Sequence, residues 1–315
     1  MSGRILDDGA LEDVFRRRIR PVLRGSRPTG PKTALLVTGQ EASGKTSVMQ
    51  PFAASLGLAG ACRFEADDLF AAHPEFAGGN DEELLDDINY LTYLAESEIS
   101  EQGWDLVTSQ PCYSEQLAVG ELEYHRAHDY RVVAAVVATH PAESLLSAAD
   151  RYYNHGGRWI TAEDHATSVE ALPRVVRAIA QSDACAGLHL VTRHNAVPGP
   201  DFRGSPDAAE QELKRFQDRP WTAEQVERFQ QIRAPLPPGA ELVREIDRLA
   251  EPKLTEFYAA RQHQVAQAAG ISTAVRASGL TDSPRAPSTP PDTRARPVWK
   301  SIRSPWRGRD QGDQR

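Results

Sequence analysis

The string Gly39-Gln40-Glu41-Ala42-Ser43-Gly44-Lys45-Thr46 constrains this chain more than any other feature, because it matches G-x-x-x-x-G-K-[ST] in full. It follows a short apolar run rich in strand formers, Thr33 to Thr38, and opens a stretch to Leu56 with helical patterning. A loop in that position turns several backbone N–H groups toward one point at a helix N-terminus, where an anion is favoured. Gly39 and Gly44 allow the close backbone approach that a side chain would block. Lys45 is placed to reach β- and γ-phosphates, and Thr46 to offer its hydroxyl to Mg²⁺. All eight residues are therefore candidate contacts for ATP, with Thr46 the candidate metal contact.

The segments after the loop alternate. Strand patterns at Cys62–Ala66, Asp105–Ser109, Arg131–Ala138 and Gly187–Thr192 are separated by helical patterns near 84–102, 116–128, 142–154 and 162–180. Asn80-Asp81-Glu82-Glu83 reads as a cap for the first of these, and residues 10–20 as a helix before Pro21. Strands alternating with helices predict an α/β fold, a P-loop NTPase three-layer sandwich with a mostly parallel sheet. Such sheets bind ligands at the carboxyl ends of their strands.

Residues 1–195 are expected to form the P-loop domain and 196–271 a helical C-terminal extension, with a capping box at Thr222–Gln225. Residues 272–315 are rich in Pro, Ser and Arg, poor in apolar side chains, and predicted to be disordered. That tail carries a net charge of +5 by its Arg, Lys and Asp content and leaves −13 on the rest of a chain whose total is −8. An acidic body argues against a general nucleic-acid binder. No apolar run is long enough for a membrane helix, no charged-then-apolar leader opens the chain, and the scattered Cys62, Cys112 and Cys185 form no metal or disulfide pattern. A cytoplasmic protein is expected.

The loop alone does not separate kinases from other nucleotide-dependent proteins. There is no N-K-x-D base-reading motif, and Arg131–Ala138 runs into Thr139-His140-Pro141 rather than into the acidic residue of a motor ATPase. A kinase of a small molecule remains. After the second strand, Asp67-Asp68 can supply a carboxylate to accept the proton of an attacking hydroxyl, or can cap a helix. Arg151 and Arg158 flank Gly156-Gly157, whose freedom lets both arginines reach one site and stabilise a transferring phosphoryl group.

In these segments the chain resembles the zeta-toxin family, over roughly residues 10–195. The features shared are the N-terminal helix with Pro21, Gly39-Gln40 opening the loop, an Asp-x-Phe followed by His73-Pro74, and the arginine pair. The resemblance implies an ATP- and Mg²⁺-dependent kinase that phosphorylates a hydroxyl of UDP-N-acetylglucosamine and is paired with an antitoxin. It further implies that Asp68, in register with Phe70, is the general base, with Asp67 the weaker candidate, and that Lys45, Arg151 and Arg158 complete the catalytic set. One segment departs from the family. Where an acidic residue is expected after the third strand, this chain has Thr108 and Ser109. The acceptor half is thus altered while the ATP half is retained. The alternative is an ATP-binding interaction protein or partner-controlled switch with little catalysis.

Overall fold

Every residue of Thr33–Gly39 is buried, and this run forms β1, the central strand of the sheet. Cys62–Glu65 is β2, Leu106–Pro111 β3, Arg131–Val137 β4 and Cys185–Val191 β5, in the spatial order β2-β3-β1-β4-β5. All four pairings are parallel. The computed structural model describes residues 3–76, 82–111, 113–157 and 159–277.

The helices are Asp8–Val14 (α1), Lys45–Ser55 (α2), Ala66–Ala72 (α3), Leu85–Gln102 (α4), Glu115–Ala127 (α5), Pro141–His155 (α6), Ala162–Gln181 (α7), Pro206–Asp218 (α8), Ala223–Arg233 (α9) and Glu241–Ala277 (α10). Strand alternation sends Ala34, Leu36, Ala134 and Val136 to one face of the sheet and Leu35, Val37, Val133 and Ala135 to the other. On the second face lies α2, with Val48, Met49 and Phe52. The first face is covered through Leu11 of α1, Leu91 of α4, Leu122 of α5, Val175 of α7 and Leu213 of α8. Burial on both faces explains why β1 and β4 read as continuous apolar runs. A parallel sheet between two helical layers, with the glycine loop after β1, is the P-loop NTPase architecture.

Local chemistry sets the ends of these helices. Ser114 caps α5 by accepting from Leu117 N at 3.2 Å, and Thr161 caps α7 by accepting from Asp164 N at 3.0 Å. The capping box at Thr222 and Gln225 opens α9. α6, α9 and the early part of α10 share their own apolar cluster, built on Leu145, Trp221, Phe229 and Ile246. Hence α8 joins the sheet core, whereas α9 and α10 pack through α6.

Several expectations are corrected. The helix read across 10–20 is α-helical only to Val14. Phe15–Ile19 then widens into a π turn, with Arg20 N donating to Phe15 O at 2.8 Å. That turn buries Ile19 while leaving Arg16, Arg17 and Arg18 outside. The cap read at Asn80-Asp81 lies outside the described residues, and α4 begins after a 3₁₀ turn, Glu82–Leu84, with no side-chain cap. The segment expected to be disordered from 272 starts inside α10, which runs to Ala277, and 278–315 lie outside the described residues. No helix among the described residues is long and apolar enough to cross a membrane.

His73-Pro74, used above to set the register, has a structural job. Buried His73 Nε2 lies 3.1 Å from Asp87 Oδ2, and the Asp87 carboxylate also accepts from Ile5 N and Leu6 N, both at 3.1 Å. This cluster ties the N-terminal segment and the end of α3 to α4.

Candidate active site

β1 ends at Gly39, and the loop folds back over the carboxyl edge of the sheet with Gln40, Glu41 and Ser43 buried. Elements far away in sequence hold it. Thr139 Oγ1, just past β4, donates to Ser43 O at 2.8 Å. Ser144 Oγ of α6 accepts from Gln40 Nε2 at 2.6 Å, and Ser168 Oγ of α7 accepts from Glu41 N at 3.0 Å. Arg193, just past β5, donates to Ala42 O at 3.3 Å and to Ser147 Oγ at 2.9 Å. From α8, Gln217 Nε2 donates to Gln40 Oε1 at 3.4 Å. Gly44 has φ 94°, a conformation that favours glycine, and a Cβ on Gly39 would stand 2.8 Å from Ser43 Oγ.

The residues fit a polyphosphate. Lys45 Nζ donates to Gly39 O and Gln40 O, each at 3.2 Å, which keeps its ammonium over the loop. Ser43 Oγ is buried without a hydrogen-bond partner, an orphaned polar atom inside the cradle. Burial lowers the affinity of the Arg193 guanidinium for its proton, with Glu143 opposing; the charge is held out of water beside the loop. The fit extends to Mg²⁺: Thr46 Oγ1 donates to Glu65 Oε2 at 2.6 Å, so a hydroxyl and a carboxylate oxygen already face each other.

The two aspartates after β2 behave differently. Glu65 is the N-cap of α3, and Asp68 at N3 completes a capping box, its Oδ2 accepting from Glu65 N at 3.0 Å. Burial raises the Asp68 pKa, against the lowering effect of that backbone hydrogen bond. Asp67 is exposed, and Arg151 Nη1 reaches its Oδ2 at 3.5 Å. The position expected for the base, Asp68, is thus turned back onto its own helix, and the neighbour faces the arginine. Arg151 is fixed by the turn that follows α6: Gly156 ends the helix at φ 64°, Gly157 N donates to Arg151 O at 2.9 Å, and a Cβ on Gly157 would collide with the Arg151 side chain. Arg158, the second arginine, lies outside the described residues.

Comparison with known proteins agrees with this fold. The zeta toxin family model matches residues 18–197. The chain belongs to the zeta-toxin family. Among solved structures, a chain of the PezAT chromosomal toxin–antitoxin system of Streptococcus pneumoniae superposes with a TM-score of 0.62 at 17% identity, covering 78% of this chain and 99% of that one. A protein from Chloroflexus aurantiacus described as a putative kinase gives a TM-score of 0.40 at 15% identity over 59% of this chain and 99% of that one. No curated protein matches. Membership of the zeta-toxin family supports a P-loop, kinase-like function.

In this zeta-toxin family member, the end of β3 and the residues after it have carboxylates beside them. Ser109 Oγ donates to Glu65 Oε2 at 3.4 Å, and the Tyr113 hydroxyl donates to the Glu41 carboxylate. Carboxylates from β2 and from the loop stand next to the segment whose own acid is replaced. Glu65, Arg193 and Gln217 were not singled out in the sequence. Only Glu65 carried a usable signal, as an acid at the carboxyl end of a strand beside the loop.

His165 and Ser144 brace the loop from behind, with Nε2 and Oγ 2.7 Å apart. Burial lowers the His165 pKa from 6.5 to about 4, with Glu41 and Glu245 opposing. The folded protein therefore binds fewer protons than the unfolded chain between those values, so stability is full above about pH 6.5 and falls as pH drops toward 4. His165 alone accounts for about 2 kcal/mol of loss between pH 7 and 5. Denaturant midpoints at the two pH values check this, and His165→Gln should remove its share while that of His140, also lowered to about 4 by burial, remains.

Proposed function

We propose that this chain is an ATP- and Mg²⁺-dependent kinase that transfers the γ-phosphoryl group to a hydroxyl of a small metabolite, with UDP-N-acetylglucosamine as the acceptor and an antitoxin protein as its partner. One observation carries the reading: the glycine loop, the Thr46–Glu65 pair and the Asp67–Arg151 pair converge at one carboxyl edge of the sheet. The sugar-nucleotide acceptor is supported by the family resemblance, and the partner by a structural neighbour that belongs to a toxin–antitoxin system.

The roles follow from position. Loop N–H groups and the Lys45 ammonium bind the phosphates, and the buried Arg193 adds positive charge from below. Thr46 and Glu65 would hold Mg²⁺, which would neutralise charge on the phosphate oxygens. Asp67 accepts the proton of the attacking hydroxyl as the new O–P bond forms and the γ-phosphoryl leaves ADP. Arg151, beside Asp67, stabilises negative charge on the transferring oxygens. Arg158 is proposed to act with it. Asp68 orders α3 and so fixes where Asp67 points.

The test is γ-phosphoryl transfer from labelled ATP with Mg²⁺ to a panel of hydroxyl acceptors that includes UDP-N-acetylglucosamine. Label on the sugar nucleotide, lost in Lys45→Ala, is the expected result. Transfer to a different hydroxyl only would discard that acceptor and keep the kinase. ATP binding with no transfer to any acceptor would overturn the kinase reading in favour of a nucleotide-controlled binding protein.

A further inference from the structure

Away from the phosphate loop, Glu96 of α4 meets Glu121 and His125 of α5. Glu96 Oε1, Glu121 Oε2 and His125 Nε2 lie within 4.8 Å of one another, and no other such cluster of three ligand atoms occurs among the described residues. His125 Nε2 is 3.6 Å from Glu96 Oε1 and 3.8 Å from Glu121 Oε2. Each of these three atoms is buried and has no hydrogen-bond partner. The His125 side chain is 1% exposed and that of Glu96 6%. Both therefore aim an unpartnered polar atom into the same small space.

Two carboxylates that close and out of water repel each other, and an unpaired buried charge is costly. Burial and the neighbouring Glu96 raise the Glu121 pKa, while Gln110 and His125 lower it. A divalent cation relieves all of these costs at once. Glu121 and His125 are four residues apart and so share one face of α5. Donors around a tetrahedral zinc ion stand roughly 3.3 to 3.5 Å apart, so the two separations from His125, 3.6 and 3.8 Å, need only small inward shifts. An imidazole with two carboxylates suits a first-row transition ion, whereas Mg²⁺ and Ca²⁺ favour all-oxygen sites.

We propose that Glu96, Glu121 and His125 form a binding site for a first-row divalent transition-metal ion such as zinc, which clasps α4 to α5. Glu121 is partly exposed at 30%, which puts the cluster near the surface. α5 follows β3, the strand that carries Ser109 to the active edge. The clasp therefore braces the acceptor side of the cleft from a place where it touches neither phosphate nor acceptor. Its logic does not depend on which hydroxyl the enzyme phosphorylates.

The experiment uses the untagged full chain, stripped with a chelator, without nucleotide and with Mg²⁺ in large excess to occupy the loop site. Zinc is titrated against a chromogenic chelator, and cobalt is added in parallel for its visible absorption. The wild-type chain should take up about one equivalent of zinc, with a rise in unfolding temperature. Glu121→Gln and His125→Gln should each weaken zinc by more than the roughly 100-fold that loss of an outer partner costs. They should also lose the cobalt bands and the thermal shift. Glu121→Gln is partly exposed and keeps the side-chain shape, so its metal-free melting curve reports whether the fold is intact. No stoichiometric uptake by the wild type would overturn the site. Uptake unchanged in a folded Glu121→Gln protein would equally overturn it.

Discussion

Asp67→Asn is expected to reduce phosphoryl transfer by roughly 10²- to 10⁴-fold, the range for a lost general base, with no change in unfolding temperature. Asp68→Ala should do the opposite. It removes the N3 partner of the capping box on α3, which costs about 1 kcal/mol and lowers the unfolding midpoint by about 2 °C for a chain of this size, while most of the turnover remains. The contrast rests on two contacts: Asp68 Oδ2 accepts from Glu65 N at 3.0 Å, and Asp67 Oδ2 meets Arg151 at 3.5 Å. Labelled-ATP turnover and calorimetry on both variants decide it. A large catalytic loss in Asp68→Asn with Asp67→Asn near wild type would return the base role to Asp68.

Arg151→Ala is expected to lower kcat by roughly 10³- to 10⁵-fold, as for other arginines that stabilise a transferring phosphoryl group in cis or in trans, with little effect on ATP affinity. Arg151 faces Asp67, at 3.5 Å, so its contribution is expected in the transition state and not in ground-state binding. Arg151→Lys should not restore activity, because an ammonium lacks the planar fork. Gly157→Ala should reproduce part of the loss, since the added methyl would collide with the Arg151 side chain. Single-turnover rates beside equilibrium ATP binding separate the two effects. A loss of affinity with kcat unchanged would make Arg151 a binding residue.

The phosphate loop could be read without a structure because its chemistry is local. Backbone angles at Gly39 and Gly44, the short reach of Lys45 and the hydroxyl of Thr46 all follow from consecutive residues between one strand and one helix. The five strands were legible for a similar reason, since burial on both faces leaves unbroken apolar runs such as Arg131–Val137. The base was not. Asp67 and Asp68 are neighbours at the start of a helix, and neighbouring side chains there point about 100° apart. The register suggested by Phe70 and His73-Pro74 favoured Asp68. Folding engages that carboxylate in the capping box and gives His73 to Asp87 instead.

The sequence by itself determined the α/β class, the order of its elements and the candidate site of phosphate recognition, because these depend on periodicity and on short-range backbone geometry. The tertiary structure decided which distant groups complete the site. Glu65 meets Thr46 only because β2 ends beside the start of α2. Arg193 and Gln217 reach the loop from segments more than a hundred residues away. Glu96 faces Glu121 and His125 only once α4 and α5 pack on the same face of the sheet. Contacts of that kind depend on how helices pack across a sheet, and no spacing along the chain encodes them.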